Sequence, residues 1–271
     1  MNSCTFWNAE GYNTKLELLG VSTTYGNQSH DKTLRNAASM VKAAGLNQIK
    51  IVPGQNKPIV RQPLAASEVL GEPAWEAEFD IPFFDPEYVL ADTKAVNILA
   101  ETLLKSQQRL VLIATGPLTT YGLLLTLYPE TKTNIERIVF MGGALGKGNW
   151  TSAAEFNVLS DPEAAKIVID SGVPVYMVPL EIARGAIVTS DIVSKVENRL
   201  ANSRFCQLIK ALLLSFGQKT PELTHGREKG ILLHDPCAVA YEIMPESFSL
   251  KPMHVEVITN DGPTLGQTTA I

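Results

Sequence analysis

The stretch Arg137-Ile-Val-Phe-Met-Gly-Gly-Ala-Leu-Gly-Lys-Gly-Asn-Trp-Thr-Ser-Ala-Ala-Glu-Phe-Asn157 passes from an apolar run straight into a polar loop. Arg137–Phe140 reads as a buried strand. The two glycines after Met141 permit a tight turn or the close approach of a ligand. The loop then offers Asn149, Glu155 and Asn157. Two carboxamides and one carboxylate suit the hydroxyls of a sugar, because a carboxylate only accepts hydrogen bonds while an amide donates and accepts. An ordinary surface turn accounts for a lone Gly-Gly pair; the whole string is much less common.

Other apolar runs have the same character: Leu16–Thr24, Ile49–Val52, Leu110–Ala114, Ile138–Met141, Val175–Val178 and His254–Ile258. Continuous runs of this length suit strands of a parallel sheet buried on both faces. Helical spacing lies between them, over Asp31–Ala44 and Asp92–Ser106. In the second, Ala95, Val96, Leu99, Leu103 and Leu104 form one stripe behind an Asp92 N-cap. Asp161-Pro162-Glu163 is a helix start: a cap, then proline in the first turn, then an acid at the positive end of the dipole. Ser190–Phe216 is helical, with Phe205, Leu208, Ile209, Leu212 and Leu213 on one side. Val52–Glu87 is a proline-rich surface excursion, a kind of long loop that is often functional. The alternation predicts an α/β fold: an open, mainly parallel sheet flanked by helices, Rossmann-type, in a single domain over 1–271.

The 271 residues carry a net charge of −5, which gives no reason to expect nucleic acid or a membrane as partner. Cys4, Cys206 and Cys237 have neither metal spacing nor a disulfide framework and read as free thiols. No apolar run approaches transmembrane length. Met1–Asn13 is too polar for a signal peptide, so a cytoplasmic location is the default expectation.

Ligands of open α/β sheets bind outside the carboxyl ends of the strands. Asn27 follows the Leu16–Thr24 run, Thr115 follows Leu110–Ala114, and Asn149–Asn157 follows Ile138–Met141, so three loops should converge on one rim. These segments also carry a family resemblance. Met141–Asn157, Leu18-Leu-Gly-Val-Ser-Thr-Thr-Tyr-Gly-Asn27, Ile113-Ala-Thr-Gly-Pro-Leu-Thr119 and Leu233-His-Asp-Pro-Cys-Ala238 stand in the order found in the inosine-uridine nucleoside hydrolase family, which the chain resembles from about Leu16 to Gln267.

The resemblance implies calcium-assisted cleavage of the N-glycosidic bond of purine and pyrimidine ribonucleosides, a salvage reaction, by a homo-oligomer (dimer or tetramer). It implies ribose binding by Asn27, Asn149, Glu155 and Asn157, with Met141 and Phe156 lining the pocket. Thr115 (through its carbonyl) and Asp235 would face calcium, and His234 would assist the leaving base. From spacing alone Asp235-Pro236 is a helix cap by about two to one, a reading the resemblance reverses. A near-neutral pKa would suit His234 to proton transfer. His30 and His254 read as structural or exposed. His225 lies in a loop that could approach a base, and Cys237 reads as a packing residue. Where relatives carry a His-Gly-x-x-Gly-Leu pattern, Leu70-Gly-Glu-Pro-Ala-Trp75 lacks the His.

Two departures matter. Family members open with a strand leading into an Asp-x-Asp-x-x-x-Asp-Asp loop that supplies calcium ligands and the base for water. Here no Asp precedes Asp31, residues 1–15 are unlike the family, and the chain stops at Ile271, where relatives continue into further strand and a closing helix. The expectation is a weak calcium site, slow catalysis and an empty central place in the sheet, with poor solubility, unless Cys4–Tyr12 fills it. The alternative is a non-catalytic ribose-binding or scaffolding relative that lost the metal loop.

Overall fold

The computed structural model describes residues 4–8, 16–64, 89–90, 92–199, 204–223 and 231–271. Strands β1 (Cys4–Asn8), β2 (Leu18–Thr23), β3 (Ile51–Val52), β4 (Leu110–Ala114), β5 (Ile135–Met141) and β6 (Val175–Val178) form one sheet in the order β3-β2-β1-β4-β5-β6. Parallel pairing joins β2 to β3, β4 to β5 and β5 to β6. β1 is antiparallel to both β2 and β4, so β2 and β4 point the same way and every strand but β1 shares one direction. The central place expected to stand empty is therefore filled, in reverse. Thr5 lies opposite Ser22 and Ala114, and Phe6 opposite Val21 and Ile113. A short run suffices because Thr5 and Phe6 pair on both sides and Trp7 extends the ladder with β2.

The helices are α1 (His30–Ala43), α2 (Ala95–Lys105), α3 (Thr119–Leu127), α4 (Phe156–Ser160), α5 (Pro162–Ile169), α6 (Leu180–Ala183), α7 (Ser190–Arg199), α8 (Arg204–Leu223) and α9 (Pro236–Ile243). Alternation along β4 and β5 sorts the core onto two faces. Leu112, Ile138 and Phe140 pack with Leu99 and Leu103 of α2 and with Tyr121 and Leu124 of α3. Val111, Ile113, Val139 and Met141 pack with Leu180 and Ala183 of α6 and with Cys237 and Ala238 of α9. All of these are buried, and each large apolar side chain contributes roughly 1.5–3 kcal/mol relative to exposure. A third cluster sets Val21 and Ile51 against Ala37 and Val41 of α1.

Several expectations shift at their edges. α2 starts at Ala95 with Lys94 at the cap position and no side-chain cap bond. Asp92 lies in the turn before it, where Thr93 Oγ1 donates to the Leu90 carbonyl at 2.8 Å; the helix begins where burial begins, at Ala95 and Val96. Leu104, assigned to the buried stripe, is 49% exposed. Ser190–Phe216 is split between α7 and α8; Leu213 packs against Val193 and Ile231. In this part of the chain β7 (Ile187–Val188) pairs with β8 (Ile231–Leu232).

The His254–Ile258 run forms a strand outside the main sheet: β9 (Val255–Val257) makes an antiparallel hairpin with β10 (Thr268–Ala270). The first part of the proline-rich excursion is tied down by Arg61, which donates to Glu163 at 2.9 Å, to Asp261 at 2.6 Å and to the Thr259 carbonyl at 2.6 Å. Leu70–Trp75 and His225 lie outside the described residues.

Candidate active site

Parallel direction gives β2, β4 and β5 a common carboxyl edge. Ala114 pairs with Phe140, and Thr23 and Ala114 lie opposite Cys4 and Thr5. Asn27, Thr115 and the loop from Gly142 to Asn157 leave from this edge. Because β1 runs backwards, it brings its first residues to the rim and ends at the opposite edge. Thr115 is buried and Asn27 half-buried.

The loop folds around the Glu155 carboxylate. Gly143 has φ +78, a left-handed conformation that suits glycine, and its N–H donates to Glu155 Oε2 at 2.9 Å. Glu155 also caps α4, accepting from Asn157 N at 2.8 Å and Val158 N at 3.1 Å. Three of its roughly four acceptor positions are thus used, leaving about one for a ligand. Glu155 is 2% exposed, and burial pushes its pKa up to about 7 against the pull of the three N–H groups; the nearby charge of Asp235 adds to the rise.

Asn157 is buried, and its Nδ2 donates to the Met141 carbonyl at 3.0 Å, which leaves Oδ1 unbonded among the described residues. Asn149 does the reverse. Its Oδ1 accepts from Phe156 N at 2.9 Å, leaving the amide N–H₂ unbonded among the described residues. One carboxamide therefore presents donors and the other an acceptor. Met141 and Phe156 are both buried, and the Phe156 ring meets Trp150 at a centroid distance of 4.9 Å. The loop is closed at Gly148, where a Cβ would come within 2.2 Å of the Ala154 carbonyl.

Asp235 occupies the cap position of α9 but makes no side-chain cap bond. The capping reading fails because the first turn is closed by backbone carbonyls instead: Cys237 N donates to His234 O at 3.1 Å and Ala238 N to Asp235 O at 3.2 Å. Burial raises the Asp235 carboxyl to about 6. Both carboxyls, Glu155 and Asp235, are thus raised chiefly by burial, and the charge of Asp235 reaches Glu155.

The near-neutral pKa expected for His234 is absent: burial first, and then the positive charge of Arg184, hold it down at about 4. Its Nε2 is buried without a hydrogen bond among the described residues. His30 is a structural group, its Nε2 lying 3.2 Å from Thr23 Oγ1, and the His254 side chain is 68% exposed. Cys237 packs in the core, its Sγ 3.2 Å from the Leu233 carbonyl and its thiol pushed up by burial.

Spacing alone misses several supporting residues. Arg184 Nη2 donates to the Gly148 carbonyl at 3.1 Å. Glu181 accepts from Leu145 N at 3.1 Å and Gly146 N at 3.0 Å. Tyr25, Thr119 and Asp161 share a buried network described below. A cavity of about 340 Å³ opens beside Asn27, bordered by Gly26, Gln28, His30 and Asn56; Glu155, Asn157 and Asp235 do not line it.

Calcium takes six to eight oxygen ligands. The uncapped Asp235 carboxylate and the Thr115 carbonyl are of the right chemistry, but the described residues contain no group of three or more Asp, Glu, His or Cys placed to hold a metal. The described residues do not by themselves complete a calcium site.

An open α/β sheet with amide- and carboxylate-bearing loops at the carboxyl ends of its strands defines a small-molecule site of the enzyme type. The sequence profile of the family described as inosine-uridine preferring nucleoside hydrolase matches residues 7–271. The chain belongs to that family, and the match begins ahead of Leu16 and runs past Gln267. It is 37% identical over 254 residues to the pyrimidine-specific ribonucleoside hydrolase RihA of Citrobacter koseri, covering 94% of this chain and 80% of the relative. Identity to the protein of the same name from Shewanella woodyi is 37% over 254 residues, covering 92% of this chain and 78% of that relative. Among solved structures, a purine-preferring ribonucleoside hydrolase from Gardnerella vaginalis superposes with a TM-score of 0.85 at 28% identity, covering 96% of this chain and 81% of that one.

Proposed function

We propose that the chain hydrolyses the N-glycosidic bond of ribonucleosides to free base and ribose, with pyrimidine ribonucleosides as the first substrates to try. Family membership supports the reaction class. The observation that supports the site is the pairing of a donor amide on Asn149 with an acceptor amide on Asn157 beside the buried Glu155. The preference for pyrimidines rests on the names of the relatives at 37% identity.

In this reading Asn27, Asn149, Asn157 and Glu155 hold the ribose hydroxyls, while Met141 and Phe156 wall the sugar. Water attacks the anomeric carbon as the bond to the base nitrogen breaks. The bonding pair leaves with the base, and the water's proton ends on the base or in solvent. Positive charge builds on the sugar in an oxocarbenium-like transition state, and contacts to the hydroxyls help to distort the ring toward it. His234, neutral at pH 7, offers a hydrogen bond to the base rather than a stored proton. Asp235 and the Thr115 carbonyl would face a calcium ion, which when bound would orient ribose hydroxyls and water.

The second reading is a non-catalytic ribose-binding or scaffolding relative. It is favoured by the lack of a three-acid group among the described residues and by the reversed β1. Release of reducing sugar from uridine, cytidine and inosine, with and without millimolar calcium, separates the two. Release supports hydrolysis; calorimetric binding without release supports the second reading. A cytoplasmic salvage role and a dimer or tetramer belong to the same proposal, the latter tested by light scattering.

A further inference from the structure

Tyr25 is 3% exposed, and its hydroxyl reaches two elements far away in sequence. It lies 3.1 Å from Thr119 Oγ1 and donates to the Ser160 carbonyl at 3.1 Å. Thr119 Oγ1 donates in turn to Asp161 Oδ2 at 2.7 Å. The proton count fixes the directions. A carboxylate only accepts, so the single Thr119 proton goes to Asp161, and the single phenol proton is shared between Thr119 Oγ1 and the Ser160 carbonyl. Asp161 also accepts from Ile59 N at 2.9 Å and from Ala164 N at 3.0 Å. Tyr25, Thr119, Ser160 and Asp161 are all buried. A network of this kind favours one arrangement, because losing a member leaves the others desolvated and unsatisfied.

Its place in the fold gives it consequence. Tyr25 stands just ahead of Asn27 in the loop after β2. Thr119 opens α3, just after Thr115 at the end of β4. Ser160 closes α4, which begins with Phe156 and Asn157. Three of the rim segments therefore meet at one phenol oxygen. Tyr25 also borders the cavity beside Asn27, but its hydroxyl is bonded to Thr119 and to the Ser160 carbonyl, so it acts through the segments it joins.

We propose that Tyr25 is a positioning residue for ribose binding, its hydroxyl holding the loops of Asn27, Thr115 and Asn157 in fixed register. This inference rests on the nucleoside-hydrolase reading and deepens it. Removing the hydroxyl keeps the ring in its packing and cuts the tie. Thr119→Ser keeps a hydroxyl at the second node and should keep the tie.

The test uses the full chain, Tyr25→Phe and Thr119→Ser, with two readouts. In the ligand-free protein, amide hydrogen exchange in Tyr25→Phe should quicken together in segments 24–29, 115–122 and 157–161, while α2 exchanges as before; Thr119→Ser should match the parent. With uridine, Tyr25→Phe should raise KM (or the calorimetric Kd, where turnover is slow) about tenfold, the equivalent of about 1.4 kcal/mol, with kcat changed less. Faster exchange in 24–29 alone, or nowhere, would overturn the tie. Unchanged KM and Kd with a lowered melting point would reduce Tyr25 to an ordinary core residue and overturn the proposal. A parent protein that neither cleaves nor binds any nucleoside would sink the functional reading and the ribose role with it, while the exchange result would still show whether the tie exists.

Discussion

The backbone N–H of Gly143 donates to the Glu155 carboxylate at 2.9 Å. The glycine turn at the end of β5 and the acid at the start of α4 are thereby closed on each other, and the same carboxylate caps the helix. A group chosen from sequence for its fit to sugar hydroxyls thus has a structural occupation as well.

That occupation has a pH signature. The Glu155 carboxyl titrates near 7 in the fold instead of at its ordinary 4.5. The folded state holds this proton more tightly than the unfolded chain, so the associated stability is complete below about pH 4.5 and is lost as pH climbs through 7. Glu155→Gln removes the titration. The stability of the parent relative to this variant should fall between pH 4.5 and 7, by roughly 3 kcal/mol at most. Denaturant unfolding at both pH values checks it; a parent that gains on the variant as pH rises would contradict it.

Arg184→Ala should move the His234 pKa upward from about 4, because a neighbouring positive charge is lost. Burial is the larger cause and remains, so the new value should stay below 6.5. Titration of the imidazole signals by NMR reads this directly, and an unmoved His234 would show that Arg184 does not act on it.

Turnover should be slow. The described residues hold no group of three acids to bind a metal and its water, and general-base catalysis, for which they place no third carboxylate beside Asp235 and Glu155, typically contributes about 10²–10⁴-fold. Inosine or uridine cleavage by the pure protein at about 10 s⁻¹, an ordinary enzyme rate, would refute this.

Calcium should bind weakly, with a dissociation constant on the order of 10⁻⁴–10⁻³ M as in sites with few protein charges. Asp235→Asn should abolish the calorimetric signal. Sub-micromolar binding by the parent, or binding that survives Asp235→Asn, would place the ion elsewhere.

Phe6→Pro tests β1 through its backbone alone. Residue 6 is paired with both β2 and β4, and proline in a central strand removes a ladder hydrogen bond. The variant should lose about 1–3 kcal/mol, the cost of a buried backbone group left without its partner, and should aggregate, since two inner edges loosen. A soluble variant with the parent's melting temperature would show that the central strand is dispensable.

Sequence reading succeeds where local chemistry suffices. Leu110–Ala114 forms its strand at the expected bounds, because five consecutive apolar residues are buried. Asp161 caps α5 as its Asp-Pro-Glu context predicts, accepting from Ala164 N. It fails where partners are remote. Tyr25 and Thr119 are 94 residues apart and Thr119 and Asp161 are 42 apart, and no spacing rule joins them. Asp235-Pro236 has the look of a cap, yet the side chain is left out of the first turn by backbone bonds that only the fold reveals. β1 is half legible: Cys4–Tyr12 stands out as the one segment able to fill the central place, but five residues hold too little pattern to fix its direction, which is decided by the neighbours on either side.

The reversed β1 also governs how the protein can be handled. With Cys4 beside Thr23, any peptide joined ahead of the strand emerges among the rim loops, within reach of Asn27 and Thr115. An affinity tag there would crowd the rim proposed above to bind ribose. A tag after Ile271 leaves instead from the hairpin, where Ile271 pairs with His254, and is the better choice for ligand-binding measurements.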